Sequence, residues 1–274
     1  MSEARPLELR PFDRSAVALK LVTWNVNSLN VRLPRLLAWL DANAPDVVCL
    51  QETKLEDDRF PHAELDAAGY RAHVSGQKTY NGVAILVRKP LEATGIVTGL
   101  DTFEDQKRLI CATVAGVRIA CAYVPNGEVI GSEKFAYKLA WCKALTGALR
   151  TALAAHSRLV FAGDMNIAPQ TQDVHDPGPW ENTIHFTPPE REVFREWLSL
   201  GLVDSFRLFD QPPNTFSWWD YRKLSFPKNK GLRIDHVLLS ATLSKHCTSC
   251  TIDRAMRKGE KPSDHAPVVA ELAL

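Results

Sequence analysis

The sequence predicts an α/β fold in which two mixed β-sheets pack face to face with helices outside, a four-layered α/β sandwich. Three observations lead there. Short segments rich in β-branched residues recur along the 274-residue chain, some neighbouring segments are joined too tightly to lie parallel, and helical patterns separate others. The strand candidates are Leu19–Trp24, Val47–Gln51, Val83–Val87, Leu109–Val114, Val117–Tyr123, Leu159–Gly163, Ile234–Leu239 and Val268–Leu272. Leu109–Val114 and Val117–Tyr123 flank Ala115–Gly116, which makes a hairpin rather than a crossover. Arg32–Asn43 carries Leu33, Leu36, Leu37 and Leu40 at helical spacing. Ser132–Leu153 opens on Ser132-x-x-Phe135 and keeps its apolar residues on one side. Pro189–Gly201 begins with proline and ends with glycine, as helix ends favour. Hairpins mixed with helices indicate sheets stacked on each other, not a doubly wound sheet.

No repeat, low-complexity run or Gly/Ser linker divides the chain, so residues 19–274 are expected to form one domain. Met1 to Arg14 mixes acids, bases and prolines without an apolar centre, which does not suit a secretory signal. Residues 1–18 are expected as a loose tail. A hydrophobic content of 45% provides for a large core, and no run of about 18 apolar residues occurs to span a membrane. Cys49, Cys111, Cys121, Cys142, Cys247 and Cys250 show no regular framework and fit reduced thiols in a cytoplasm. The lone C-x-x-C at Cys247 and Cys250 lacks the second pair that a zinc site wants, so these are better taken as strand residues. Lys and Arg number 33 against 32 Asp and Glu, which argues against a general phosphate-coating protein. Local basic patches remain at Arg222–Lys223, at Lys228, Lys230 and Arg233, and at Arg254, Arg257, Lys258 and Lys261.

Polar residues gather where the strand candidates end. Trp24-Asn25-Val26-Asn27 and Gln51-Glu52-Thr53-Lys54 follow the first two strands, and Tyr123-Val124-Pro125-Asn126-Gly127 ends the hairpin. Gly163-Asp164-Met165-Asn166 follows a further strand, Arg233-Ile234-Asp235-His236 opens a later one, and Ser263-Asp264-His265-Ala266-Pro267 precedes the last. Singly, each is ordinary: an Asp-x-Asn turn, a solvated glutamate, a structural histidine. Six such groups at strand ends of one domain are much harder to dismiss, because loops at strand ends are where layered folds build their sites. Carboxylates and amide oxygens without thiolates suit a hard cation such as Mg²⁺ or Mn²⁺. Hydrolysis of a phosphodiester further needs a carboxylate base for the water and a cationic or hydrogen-bonding group to meet charge on the phosphate.

In combination and in order, WNVNSL, QETK, YVPNG, GDMNIAP, GLVDSFR, FSWWDYR, GLRIDH and PSDHAP resemble the exonuclease III branch of the endonuclease/exonuclease/phosphatase superfamily, from about Lys20 to Leu272. The resemblance implies that Glu52 is the principal ligand of one or two Mg²⁺ ions, replaceable by Mn²⁺, with Asn25 and Asp264 close by, directly or through water. It implies that Asp164 activates or positions the water, Asn166 and Tyr123 bind the scissile phosphate, and His265 stabilises the transition state. Whether Asp164 or Tyr123 takes the proton stays open. Consecutive side chains diverge in extended backbone, so the partner of His265 is not Asp264. The family's counterpart for that role is Asp235, whose alternative is a salt bridge with Arg233. Trp218 matches an aromatic wall for the target sugar, completed by Leu232 and Ile234. Arg222 would reach DNA, Lys54 would edge the metal site, and Asn27 and Asn126 join the substrate-binding set.

The implied activity is DNA repair on double-stranded DNA with 3′ ends, nicks or abasic sites: 3′→5′ exonuclease, 3′-end processing and abasic-site cutting, by a cytoplasmic monomer. Two competing classes are weaker. A lipid phosphatase would want a membrane-binding surface, and a DNA-binding protein without catalysis would lack Glu52, Asp164 or His265. The segment from Gln172 to Trp180 departs from the basic, asparagine-rich loop of many abasic endonucleases, and His185 stands where those proteins often carry a small residue. An imidazole there would crowd a continuing strand at an internal abasic site, spare a chain that stops at a 3′ end, and could hydrogen-bond a terminal phosphate. The alternative is a solvent-facing His185 without a role.

Overall fold

The computed structural model describes residues 18–274 except 101 and 104. Of the tail expected over residues 1–18, all but Ala18 therefore lies outside the described residues, and Ala18 opens the first strand. Twelve strands form two six-stranded sheets. One runs, edge to edge, through β11 (Cys247–Ile252), β12 (Val268–Ala273), β1 (Ala18–Asn25), β2 (Val47–Gln51), β4 (Val83–Arg88) and β3 (Tyr70–Ser75). The other runs through β5 (Ala93–Thr98), β6 (Leu109–Val114), β7 (Val117–Tyr123), β8 (Leu159–Asp164), β10 (Asp235–Ser240) and β9 (Leu202–Asp204). Each sheet has one parallel pair at its middle, β1–β2 and β7–β8, and antiparallel pairing elsewhere. All eight strand candidates are strands to within a residue at either end, and β3, β5, β9 and β11 are additional.

The inner faces of the sheets meet through Leu21, Cys49, Ile85, Ile119, Val160, Val237 and Ala270, all buried. Outward residues of the first sheet, among them Val22, Leu50 and Leu86, pack under α1 (Leu29–Asn43) through Leu36, Trp39 and Leu40. Below them lies the short α2 (His62–Ala67). Outward residues of the second sheet, including Ala120, Phe161 and Leu238, pack under α3 (Glu133–Ala155) and, past the four-residue α4 (Pro177–Trp180), under α5 (Pro188–Ser199). The central strands are thus buried on both faces, which is why Val47–Leu50 and Leu159–Ala162 are continuous apolar runs rather than alternating ones. Burying two faces of each sheet leaves helix, sheet, sheet and helix as the layers.

The helix ends follow local chemistry. Ser132 Oγ accepts from Phe135 N at 3.2 Å. Thr187 and Glu190 form a reciprocal capping box with Pro188 and Pro189 in the first turn, which sets the start of α5 one residue before the expected Pro189. α1 begins at Leu29, three residues before the expected Arg32, and keeps Pro34 in its second turn.

The parallel pairs decide where a site can be. β1 and β2 end side by side, with Asn25 opposite Gln51, and β7 and β8 end side by side, with Tyr123 opposite Asp164. Their antiparallel neighbours start at that same rim: β10 enters with Asp235 opposite Asp164, and β12 enters just after His265. One rim of the sandwich therefore brings the ends of both parallel pairs together with the starts of their antiparallel neighbours.

Candidate active site

Glu52, Asp164 and His265 each place a ligand atom within 4.8 Å of the others at this rim. Asn25 links them: its Nδ2 donates to Glu52 Oε1 and to Asp164 Oδ2, both at 2.8 Å. Its Oδ1 is turned away and accepts from Asn27 N at 2.9 Å. Lys54 Nζ lies 2.8 Å from Glu52 Oε2 and donates to Asn27 Oδ1 at 2.6 Å. Burial alone would raise the Glu52 carboxyl, but Lys54 and Asn25 hold it below the ordinary glutamate value.

His265 is buried with Nδ1 at 2.8 and 3.1 Å from the two oxygens of Asp235, and its Nε2 is 3.7 Å from Asp164 Oδ2. Burial opposes a charge on the imidazole, yet Asp235 and Asp164 outweigh it and push His265 up to about 10. Asp235 is itself held by Ser217, whose Oγ donates to Oδ2 at 2.7 Å and accepts from the backbone N–H groups of Ile234 and Asp235. Burial lifts Asp164 to about 7, with His265 pulling the other way and Asp235 adding to the rise. Tyr123, packed beneath the cluster, is held well above its usual value by burial and by Glu52 and Asp164, so its phenol stays protonated.

Asn166 follows Asp164 in a left-handed conformation, φ 49°, and its N–H donates back to Asp164 Oδ1 at 3.0 Å. Its side chain spans Val124 O at 2.9 Å and Asn126 Nδ2 at 3.4 Å. Asn27, Glu52, Lys54 and His185 are also left-handed, at φ 43°, 52°, 55° and 75°. Such backbone costs on the order of 1–3 kcal/mol per residue and persists where surrounding contacts impose it.

Asp264 is not in the tight trio. Asn27 Nδ2 and Trp218 Nε1 take its two oxygens at 2.9 and 3.0 Å, which places it between the cluster and Trp218. Trp218 is half-buried, whereas Leu232 and Ile234 are fully buried behind it with Val174 and Phe186, so they back the wall instead of facing its open side. Arg222 is exposed and paired with Asp220, reaching none of the cluster's side chains. Arg233, which the sequence places in a basic surface patch, is buried: Asp173 and Asp204 converge on its guanidinium at 2.6 and 2.7 Å, and it makes no pair with Asp235. Arg257 is likewise drawn inside, donating to the Ser263 and Trp219 carbonyls.

His185 is buried, not solvent-facing. Its ring lies 6.3 Å from that of Trp218, Nδ1 is 2.9 Å from Asn166 O and Nε2 is 3.5 Å from Asn126 Nδ2. Burial, reinforced by Lys138, lowers it to about 4. A carbonyl can only accept, so Nδ1 carries the proton and Nε2 is left as an acceptor. In the neutral ring the Nδ1 proton is taken by the Asn166 carbonyl, and Nε2 presents an acceptor beside Asn126.

Residue types and spacing gave no role to Ser217, Arg108, Lys138 or Glu190. Ser217 sits inside FSWWDYR, and the Thr187-x-x-Glu190 spacing is a capping signature, so two of the four left a signal. Arg108 lays its guanidinium over the Tyr123 ring, 4.7 Å from the centroid.

The sequence profile of the Endonuclease/Exonuclease/phosphatase family matches residues 22–265. Exodeoxyribonuclease III of Haemophilus influenzae is 35% identical over 265 residues, which cover 92% of this chain and 99% of that protein. Among solved structures, a 3′ phosphatase from Neisseria bound to a product DNA hairpin is similar with a TM-score of 0.91 and 44% identity, over 93% of this chain and 100% of that one. An AP endonuclease from Archaeoglobus fulgidus is similar with a TM-score of 0.90 and 39% identity, over the same shares. Whole-chain similarity at these levels, together with the cluster of acidic and histidine side chains at the shared rim, has one consequence: the chain belongs to the Endonuclease/Exonuclease/phosphatase family and is a hydrolytic nuclease.

Proposed function

We propose that this nuclease processes 3′ ends of double-stranded DNA, removing 3′ nucleotides and 3′ phosphates with Mg²⁺ as its natural ion, and cuts internal abasic sites less well. The observation that carries this reading is the trio of half-buried Glu52 with buried Asp164 and His265, and Asp235 behind it. Oxygen donors without thiolates fit a hard divalent ion, for which Glu52 would be the principal ligand. When bound, such an ion neutralises phosphate charge and polarises the ester.

The chain's own groups divide the remaining work. Asp164, anchored by Asn25 and by Asn166 N–H, holds the attacking water and takes its proton. Tyr123 is the poorer base because its phenol is already held protonated, so it serves as a donor to the phosphate. His265, kept cationic by Asp235, meets the negative charge that grows on the phosphate oxygens. Asn126 and Asn166 contribute amide donors, Trp218 a flat face for the sugar, and Lys54 and Arg222 positive charge along the strand.

His185 narrows the space between those asparagines and Trp218, where an internal abasic site would have to pass its downstream strand. The Neisseria likeness favours end processing; the likeness to the AP endonuclease from Archaeoglobus fulgidus favours abasic cutting as the main activity. Rates on a recessed 3′ end, a 3′-phosphate, an internal abasic site and an inositol phosphate rank these readings. His185→Gly should raise abasic cutting relative to 3′-phosphate release, and an unchanged ratio would leave His185 without a part in selectivity. A monomer acting in the cytoplasm is the accompanying proposal, testable by sizing and by fractionation. Among the described residues no helix is long and apolar enough to cross a membrane.

A further inference from the structure

Lys138 of α3 and Glu190 of α5 form an ion pair with both side chains wholly out of solvent. Removing two ions from water costs several kcal/mol each, and such a pair seldom stabilises more than an apolar pair of equal volume. Its remaining hydrogen bonds show where it acts. Lys138 Nζ, besides Glu190, donates to Asn166 O at 2.7 Å and Asn126 O at 3.2 Å, which uses all three of its protons. Glu190 Oε1 accepts from His185 N at 3.0 Å, and Oε2 accepts from Thr187 N and Oγ1 at 3.0 and 2.7 Å.

The pair therefore ties the backbone at 126, 166 and 185 to one point. The His185 ring meets the same group: Nδ1 bonds the Asn166 carbonyl that Lys138 also holds, and Nε2 faces the Asn126 amide, which in turn donates to Asn166 Oδ1. Asn166 and His185 are both left-handed without being glycine, so their conformations need outside support. The lysine stem also packs beneath the next turn: a Cβ on Gly127, at φ +91°, would stand 3.0 Å from Lys138 Cδ.

We propose that Lys138 and Glu190 are positioning residues that fix the His185 ring against Asn126 and Asn166, and so set the preference for chain ends over internal abasic sites. This rests on the reading of His185 given above.

The test is the double variant Lys138→Met with Glu190→Gln, which keeps volume and leaves no unpaired buried charge, whereas either single change would. Nitrogen-15 spectra of the imidazoles report His185 directly. The wild type should show one hydrogen-bonded Nδ1–H tautomer, and the double variant a mobile ring of averaged tautomers. The ratio of 3′-phosphate release to abasic cutting, in kcat/KM, should fall by about tenfold, the scale of one hydrogen bond. Adding His185→Gly to the double variant should change that ratio little further, because both act through one element.

An unchanged His185 signature in the folded double variant overturns the proposal. So does an unchanged ratio where His185→Gly alone moves it. If the signature is lost but His185→Gly leaves the ratio where it was, the pair's hold on the ring stands and the selectivity reading of His185 fails. Should the double variant not fold, Lys138→Arg keeps the charge and disturbs the three-way geometry. It must then shift the His185 signature and lower the ratio, and no change in either overturns the proposal.

Discussion

Asp164→Asn separates catalysis from stability at a single atom pair. Asp164 is almost fully buried, with Oδ2 on Asn25 Nδ2 and Oδ1 on Asn166 N–H, and it shares the rim with the carboxylates of Glu52 and Asp235. As the base, its loss should slow the chemical step by about 10²–10⁴-fold, or roughly 3–5.5 kcal/mol, while DNA still binds. Stability should move the other way. Burial, with Asp235 adding to it, raises the carboxyl from 3.8 to about 7, so the folded protein holds more protons than the unfolded chain between those values. Stability then falls as pH rises through that window, and above it the charge costs the fold about 4 kcal/mol. An asparagine removes this cost but leaves Asn166 N–H facing an amide donor, a penalty of about 1–3 kcal/mol. The net is a gain of about 1–3 kcal/mol, a melting temperature a few degrees higher in EDTA at pH 8. The gain should disappear below pH 4. Single-turnover kinetics with thermal melts at pH 4 and pH 8 measure both. Turnover near the wild-type rate would assign the base elsewhere, and a variant several kcal/mol less stable at pH 8 would refute the strain attributed to the buried carboxylate.

The remaining expectations can be checked with the same preparations. Activity should vanish with EDTA and return with Mg²⁺ or Mn²⁺, and Glu52→Ala should require far more metal while melting near the wild type; full activity in EDTA defeats the assignment. His265→Asn should lose rate on the scale of Asp164→Asn. Asp235→Ala removes the carboxylate that lifts His265, so its rate should decline with rising pH well before that of the wild type; superimposable profiles up to pH 9 would show that Asp235 does not govern His265. His185 and His236 are buried and lowered from 6.5 to about 4, by burial first. The unfolded chain therefore binds their protons more readily, and stability should drop as pH falls from 6.5 towards 4, by about 2 kcal/mol per histidine at pH 5. His185→Gly should show the smaller drop between pH 7.5 and pH 5, and an equal drop would remove His185 from that balance.

How far the sequence could be read depended on burial. β2 and β8 are apolar runs bounded by polar residues because both faces are covered, and few arrangements besides a doubly covered strand produce so short a run. β3 and β5 are edge strands. One carries Arg71 and His73 among its exposed and half-buried positions, and the other is mostly exposed, with Gly95 and a register shift between Thr94 and Val97, so neither leaves a periodic signature. β9 has only three residues. At the site, residues carried in short motifs were open to inspection. Lys138 was not, since a lysine on a helix ordinarily faces water. Arg233 was misplaced for a related reason: its basic neighbours suggest a surface patch, while Asp173 and Asp204, 60 and 29 residues away, neutralise it inside the protein. Partners that far apart in sequence leave no local trace.

The placement of the site follows from strand direction more than from any one residue. A purely antiparallel sheet alternates strand starts and ends along each rim, so neighbouring polar ends would be divided between two rims. In this fold each sheet makes one parallel pair, which puts two adjacent C-termini together, and each pair has an antiparallel partner whose start falls at the same rim. Stacking the two sheets then sets Asn25 and Glu52 against Tyr123 and Asp164, with Asp235 and His265 closing the circle. Glu52, Asp164 and Asp235 gather there with one imidazolium and one nearby ammonium, partly shielded from water, where each charge is felt more strongly than at a surface. A divalent cation and a phosphate would bring their own charges into that balance. The same crowding that burdens the fold would favour both at this rim.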